Sequence, residues 1–268
     1  MNTGICSKLG RTTKQEAHMS ELNIISSNGL VRLQLNRPAV LNALSPTLLN
    51  AIIDACTDIS QDDSIRIVVL EGSGEHFSAG ADLPAFHKDL ISDPESTADL
   101  GRRATDAIAA LPQIAIAAIR GHCVGGALVL AAACDVRIAA DDSRFFIPEL
   151  DAGIPLAWGG MAHMVRLVGE SLAADLVLTC RRFDADDAIR SGFVSQVVAA
   201  GDFDDAVTEL AETIASKPGL ALRISKQQLI AIRDGTFDAQ NDAQALLSSL
   251  GDAEAKKASD DYISSRLS

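Results

Sequence analysis

Residues 114–140 read IAIAAIRGHCVGGALVLAAACDVRIAA, and the fold class follows from how this stretch divides. Its first six residues form an unbroken apolar run, which predicts a strand covered on both faces. Gly121, Gly125 and Gly126 then punctuate a turn, 127–134 is alanine-rich and reads as a helix, and 136–139 is strand-like again. Strand, crossover helix and strand in so short a stretch predict parallel neighbours in one sheet. The stretch is not a membrane span, because Arg120, His122 and the glycines interrupt it.

The same alternation extends outward. Residues 65–70 form a second, mostly apolar strand candidate, and 144–147 form another. Residues 22–35 alternate around Asn28-Gly29, a two-residue hairpin signal. Ser45-Pro46 offers an N-cap followed by a proline in the first turn, and Leu48, Leu49, Ile52, Ile53, Cys56 and Ile59 give the helix after it one buried face. A loop, GSGEHFSAGADL, precedes a helix over 97–111. From Gly159 onward the pattern is helical except for a short strand at 194–198. No linker and no fixed-spacing repeat divides the chain. The expectation is a flexible extension over 1–20, an α/β core over 21–200 and a helical region over 201–268, with Met19 as a second start.

Composition narrows the function. The 268 residues carry Lys+Arg 23 against Asp+Glu 36, a net charge of −13, so the chain suits neither a nucleic-acid backbone nor an anionic membrane surface. With 47% hydrophobic and 22% charged residues it can bury a core. Five cysteines, an odd number without CxxC spacing, suggest neither a disulfide framework nor a zinc cage and fit a reducing cytoplasm. His18, His76, His87 and His163 show no metal-ligand spacing. The first 18 residues lack the apolar run of a secretory signal.

Two loops carry candidate chemistry. Phe77-Ser78-Ala79-Gly80-Ala81-Asp82-Leu83 and Gly121-His122-Cys123-Val124-Gly125-Gly126-Ala127 each follow a buried strand and bring small residues to a helix start. Such glycines either close tight turns or let a ligand reach backbone N–H donors. One free donor from each loop would make an oxyanion hole. Dinucleotide and Walker spacings are absent.

LNRPAVLNALS at 35–45, HFSAGADL at 76–83, AAIRGHCVGGALVLAAACDVRIAA at 117–140 and FFIPELDAGIPLAWGG at 145–160 occur in that order, and together they resemble the crotonase superfamily of enoyl-CoA hydratases and isomerases. The resemblance covers the chain from about residue 20. It implies a spiral of β-β-α repeats, a helical C-terminal region used for trimerisation, a homotrimer or a dimer of trimers, and an acyl-CoA thioester ligand. Coenzyme A would enter as part of the substrate, with no other cofactor. The oxyanion donors would be the N–H groups of Ala81 and Gly126, with Gly80, Asp82, Leu83 and Gly125 beside the ligand. Asp82 fits a loop-fixing role.

The departure from the family pattern carries the functional reading. Hydratases of the superfamily place one glutamate in the helix after the second glycine loop and another in a Pro-Glu pair; here those places hold Val129 and Glu149. Hydration draws on two carboxylates around one water, whereas a double-bond shift needs one proton shuttle. The expected activity is therefore a Δ3,Δ2-enoyl-CoA isomerisation through Glu149, with hydration or another enolate reaction as the alternative and a silent acyl-CoA-binding protein as the reading from another class.

Asp151, two residues on, would share a face with Glu149 on an extended segment and is either a second acid or a loop stabiliser. Trp158 either packs in the core or walls the acyl pocket, and Met161 and Met164 read as core or pocket lining. Adjacent His122 and Cys123 make a poor nucleophile pair. Tyr262 and Arg266 are the candidates for reaching coenzyme A from a neighbouring subunit, while Lys256 and Lys257 fit a solvated face. Where many relatives have a lysine in the first motif this chain has Ala39-Val40, leaving Arg37 to contact phosphate.

Overall fold

The computed structural model describes residues 20–267. The expected extension ahead of Ser20, with Met19, His18 and Cys6, lies outside the described residues. Strands β1 (Leu22–Ser27) and β2 (Leu30–Leu35) form the predicted antiparallel hairpin. Asn28 and Gly29 turn it with φ of 48° and 78°, the left-handed pair that matches strand twist.

The remaining strands of the large sheet are parallel. β3 (Ile67–Gly72), β4 (Ile114–Ile119), β6 (Val136–Ala140) and β9 (Gln196–Val198) complete the order β1-β2-β3-β4-β6-β9. The apolar runs Ile67–Leu70 of β3 and Ile114–Ile119 of β4 have a geometric cause. On β3 and β4, Val68, Leu70, Ala115, Ala117 and Ile119 face one core, while Ile67, Val69, Ile114, Ile116 and Ala118 face a second one.

Helices α1 (Pro46–Ser60), α3 (Pro94–Ala109) and α4 (Gly126–Ala133) pack into the first core. The Ser45 hydroxyl accepts the Leu48 N–H at 3.0 Å, with Pro46 at the first helical position. Losing that cap would cost about 1 kcal/mol, less than burying any one of its leucines contributes, about 1.5–3 kcal/mol. Every residue of α4 is buried, as its run of alanine and leucine requires. Helix α8 (Phe203–Ala215) covers the opposite face through Phe203, Val207 and Ala211.

The structure departs from the expectation in three places. Helix α2 (Leu83–Ser92) occupies what reads as loop, and α3 begins at Pro94 rather than 97. The glycine turn contains a strand, β5 (His122–Val124), which pairs with β7 (Arg144–Phe146). A further short strand, β8 (Phe183–Asp184), joins them in a second, three-stranded sheet. The chain thus passes from a large-sheet strand to a small-sheet strand and back through a helix, the spiral that the motif resemblance implies.

Beyond β7 come α5 (Gly160–Val168), α6 (Glu170–Thr179) and α7 (Ala185–Arg190). Helices α9 (Gly219–Arg233), α10 (Asp242–Gly251) and α11 (Ala253–Leu267) end the chain, with Leu246, Leu247, Leu250 and Ile263 exposed. No helix of the described residues is long and apolar enough to cross a membrane.

Candidate active site

The two glycine loops are stitched side by side. Ser78 N–H donates to the His122 carbonyl at 2.9 Å and Val124 N–H to the Ser78 carbonyl at 3.2 Å. On the other flank Ala79 N–H donates to Leu41 O and Leu44 N–H to Gly80 O, each at 2.8 Å. Gly80 has φ +91°, and a Cβ there would lie 2.7 Å from the Val124 carbonyl, so a side chain would push the loops apart. Buried Asn42 braces this flank, its amide donating to the Ser73 and His76 carbonyls.

This stitching leaves backbone donors over, and two of them belong to residues that line one cavity. Among the described residues, neither the Ala81 nor the Gly126 N–H donates to another protein group. Gly126 opens α4, where unpaired N–H groups and the helix dipole favour negative charge. Two such donors can hold one developing oxyanion.

Both residues line a cavity of about 440 Å3 with Glu149 and Val129. Helix α2 adds Leu83, Phe86, His87 and Leu90, an i, i+3, i+4, i+7 stripe, and 154–158 form a facing wall. Glu149 follows β7, and its Oε2 is buried without a hydrogen-bond partner. A Cβ on Gly125 would fall 2.5 Å from Glu149 Oε1, so that glycine also makes room for the carboxylate. Burial in this apolar setting pushes the Glu149 carboxyl above its ordinary range. Among the described residues it is the one carboxylate lining the cavity, and Val129 adds an alkyl surface.

The enoyl-CoA hydratase/isomerase family model matches residues 26–266. The chain belongs to this family. A probable enoyl-CoA hydratase of Mycobacterium tuberculosis is 38% identical over 193 residues, covering 72% of this chain and 74% of that protein. A crotonyl-CoA hydratase of Syntrophomonas wolfei is 38% identical over 199 residues, covering 74% and 76%. Among solved structures, an enoyl-CoA hydratase from Bacillus anthracis superposes with a TM-score of 0.77 at 32% identity, covering 85% of this chain and 88% of that one. An enoyl-CoA hydratase/carnithine racemase from Magnetospirillum magneticum gives 0.85 at 29% identity, covering 92% and 94%.

In this enoyl-CoA hydratase/isomerase family chain, Asp151 and Arg37 fall where the sequence reading did not put them. Asp151 does not share a face with Glu149. The segment turns instead of extending, with Ala152 N–H donating to Pro148 O at 3.1 Å and Ile154 N–H to Glu149 O at 2.9 Å, and Asp151 is exposed outside the cavity lining. Arg37 is committed to the scaffold: it pairs with Asp82 at 2.9 Å and Glu21 at 3.2 Å and donates to the Ala43 carbonyl. Asp82 caps α2 by accepting the Ala85 N–H at 3.2 Å, the loop-fixing role expected of it.

Tyr262 and Arg266 lie on exposed α11, where the guanidinium stacks over the ring at 5.3 Å, and neither lines the cavity. Met161 is 41% exposed, whereas Met164 is core. Cys123 is fully buried, and that burial pushes its thiol well up, which disables it as a nucleophile. His122 instead stacks on His76, ring centroids 4.6 Å apart, and its backbone N–H donates to His76 Nδ1 at 3.2 Å. No group of three or more metal-ligating side chains occurs among the described residues.

Sequence reading missed the α2 stripe of Phe86, His87 and Leu90. The signal was present: Asp82 as N-cap, Pro84 in the first turn, and apolar spacing from Leu83 to Leu90.

Proposed function

We propose that this chain moves a carbon–carbon double bond along an acyl-CoA thioester, from the 3,4 to the 2,3 position. The observation that carries the reading is the cavity's single carboxylate, Glu149, beside two unpaired N–H donors, with Val129 facing the same space. The thioester oxygen sits between Ala81 and Gly126. Glu149 takes a proton from the carbon next to the thioester, and the electron pair moves onto the oxygen as a dienolate. The protonated Glu149 then returns that proton two carbons along, and the oxygen's charge collapses back. No proton is gained or lost overall, so one carboxylate, its pKa raised by burial, is enough. Coenzyme A belongs to the substrate, and the scheme uses no further cofactor.

Hydration is the second reading, favoured by the names of the matched relatives. It needs an activated water in addition to a proton at the neighbouring carbon, and Val129 gives water no acceptor. The test is a side-by-side assay of a 3-enoyl-CoA and crotonyl-CoA. Isomerisation that outpaces hydration supports the proposal; equal or faster hydration reverses it, and no turnover of either leaves an acyl-CoA-binding protein.

We also propose that the chain works as a homotrimer or a dimer of trimers. Supporting this are the exposed apolar residues of α10 and α11, Leu246, Leu247, Leu250 and Ile263, which contact with a second copy would bury. A stable monomer in light scattering at micromolar concentration would refute it.

A further inference from the structure

Trp158 is the chain's single tryptophan, and it sits at φ +58°, a backbone conformation disfavoured for any residue with a side chain. Its indole rests on two glycines from different helices: a Cβ on Gly101 in α3, or on Gly126 at the start of α4, would overlap the ring. Gly101 is buried in the middle of a helix, where glycine is worse than alanine, so the seat has been made at the helix's expense. Phe86 closes a third side, its centroid 6.0 Å from the indole at 35°. Ala98 of α3 lines the cavity, but Gly101, one turn further along, does not. The indole therefore stands between the cavity and the continuing face of α3.

We propose that Trp158 sets the depth of the acyl pocket and so limits the length of the acyl chain that it buries. The inference rests on the docking described above, with the thioester oxygen at Ala81 and Gly126. From that anchor the chain passes Glu149 and runs among Leu83, Phe86 and Leu156, gaining apolar contact with each carbon, alongside an indole that reaches from Gly126 to Gly101 and closes the space where α3 continues. Beyond that point further carbons must turn back towards water.

Calorimetric titration of the whole protein with saturated butyryl-, hexanoyl-, octanoyl-, decanoyl- and dodecanoyl-CoA reads this depth without turnover. Each methylene that is buried should tighten binding ~4-fold, and in the parent protein this gain should stop before dodecanoyl-CoA. Trp158→Ala should move the break to longer chains, and Trp158→Phe should move it less while keeping an aromatic wall should the alanine variant fail to fold. Gly101→Ala should act in the opposite sense, because the added methyl drives the indole into the cavity and shortens the acceptable chain. A parent series that tightens steadily to dodecanoyl-CoA, or a break that stays put in the folded variants, overturns the proposal. Binding of the series with the expected breaks but no isomerisation would sink the functional reading alone. Failure of the parent to bind any of these thioesters would sink both.

Discussion

Asp135 and Glu149 are both carboxylates turned towards the interior, and their surroundings are opposite. Asp135 receives the fully buried Lys226 ammonium at 2.6 and 2.7 Å and the Ala115 N–H at 2.8 Å, so its charge is matched and its oxygens are used. Glu149 has a buried oxygen with no partner and an apolar wall facing it. The first arrangement ties α9 to the end of α4 and to β4 and leaves nothing to react. The second keeps a desolvated group open to whatever enters the cavity. A buried carboxylate marks chemistry when its partners are missing, and structure when they are supplied.

Substitution separates the two most sharply in rate. Glu149→Gln keeps the shape and cannot take a proton, so turnover of a 3-enoyl-CoA should fall ~10²–10⁴-fold while thioester binding persists. Steady-state kinetics beside calorimetry checks this; unchanged turnover would remove Glu149 from the mechanism. The mirror experiment is Lys226→Met, which strands the Asp135 charge and should cost about 3–5 kcal/mol of stability in denaturant titration. Adding Asp135→Asn should restore much of that loss, and a single variant as stable as the parent would show that the pair contributes little.

The pH dependence of the two groups sharpens the contrast further. Glu149 acts as a base only when ionised, and its pKa is raised by burial, so activity should climb with pH along a limb above the ordinary glutamate value of ~4.3. A native pKa above the unfolded one means that the folded chain holds this proton more tightly. Its contribution to stability is therefore full below the unfolded pKa and is lost as pH rises through the folded one. Glu149→Gln should abolish both the limb and that slope, as pH–rate and pH–melting profiles would record. A limb that survives in the glutamine variant belongs to another group.

The smallest effect expected is a gain. Val129→Glu places a second carboxylate in the cavity and should give weak crotonyl-CoA hydration where the parent has little. A new buried carboxyl titrates upward unless hydrogen-bonded, which limits the gain. Absence of any increase in a folded variant would mean that Val129 and Glu149 cannot share a water.

Features set by neighbours in the chain were legible beforehand. Asn28-Gly29 makes its turn, Ser45-Pro46 starts its helix, and the apolar run at 114–119 and the strand-like stretch at 136–139 become covered strands, because each depends on contacts within a few residues or on simple burial. The three-residue strand β5 was hidden because its partners, Arg144 to Phe146 and Ser78, are distant in sequence. The motif series placed Ala81, Gly126, Val129 and Glu149 around one space. It could not place Asp151, whose position depends on a turn after Glu149, or Arg37, which finds Asp82 and Glu21 before any ligand.

The hydrogen bonds between Ser78 and β5, the His76–His122 stack and the close approach of Gly80 to Val124 join the two glycine loops into one body. Neither donor can drift alone. A side chain introduced at Gly80 displaces the Val124 carbonyl and, one residue beyond Gly125, the Gly126 N–H as well. Variation across the two loops is therefore epistatic: once one change has opened the seam, a second across it costs less than it would alone, because both damage the same fit. The pair of free N–H donors is then an all-or-none inheritance, tolerant of change in its surroundings and intolerant of piecemeal change in itself.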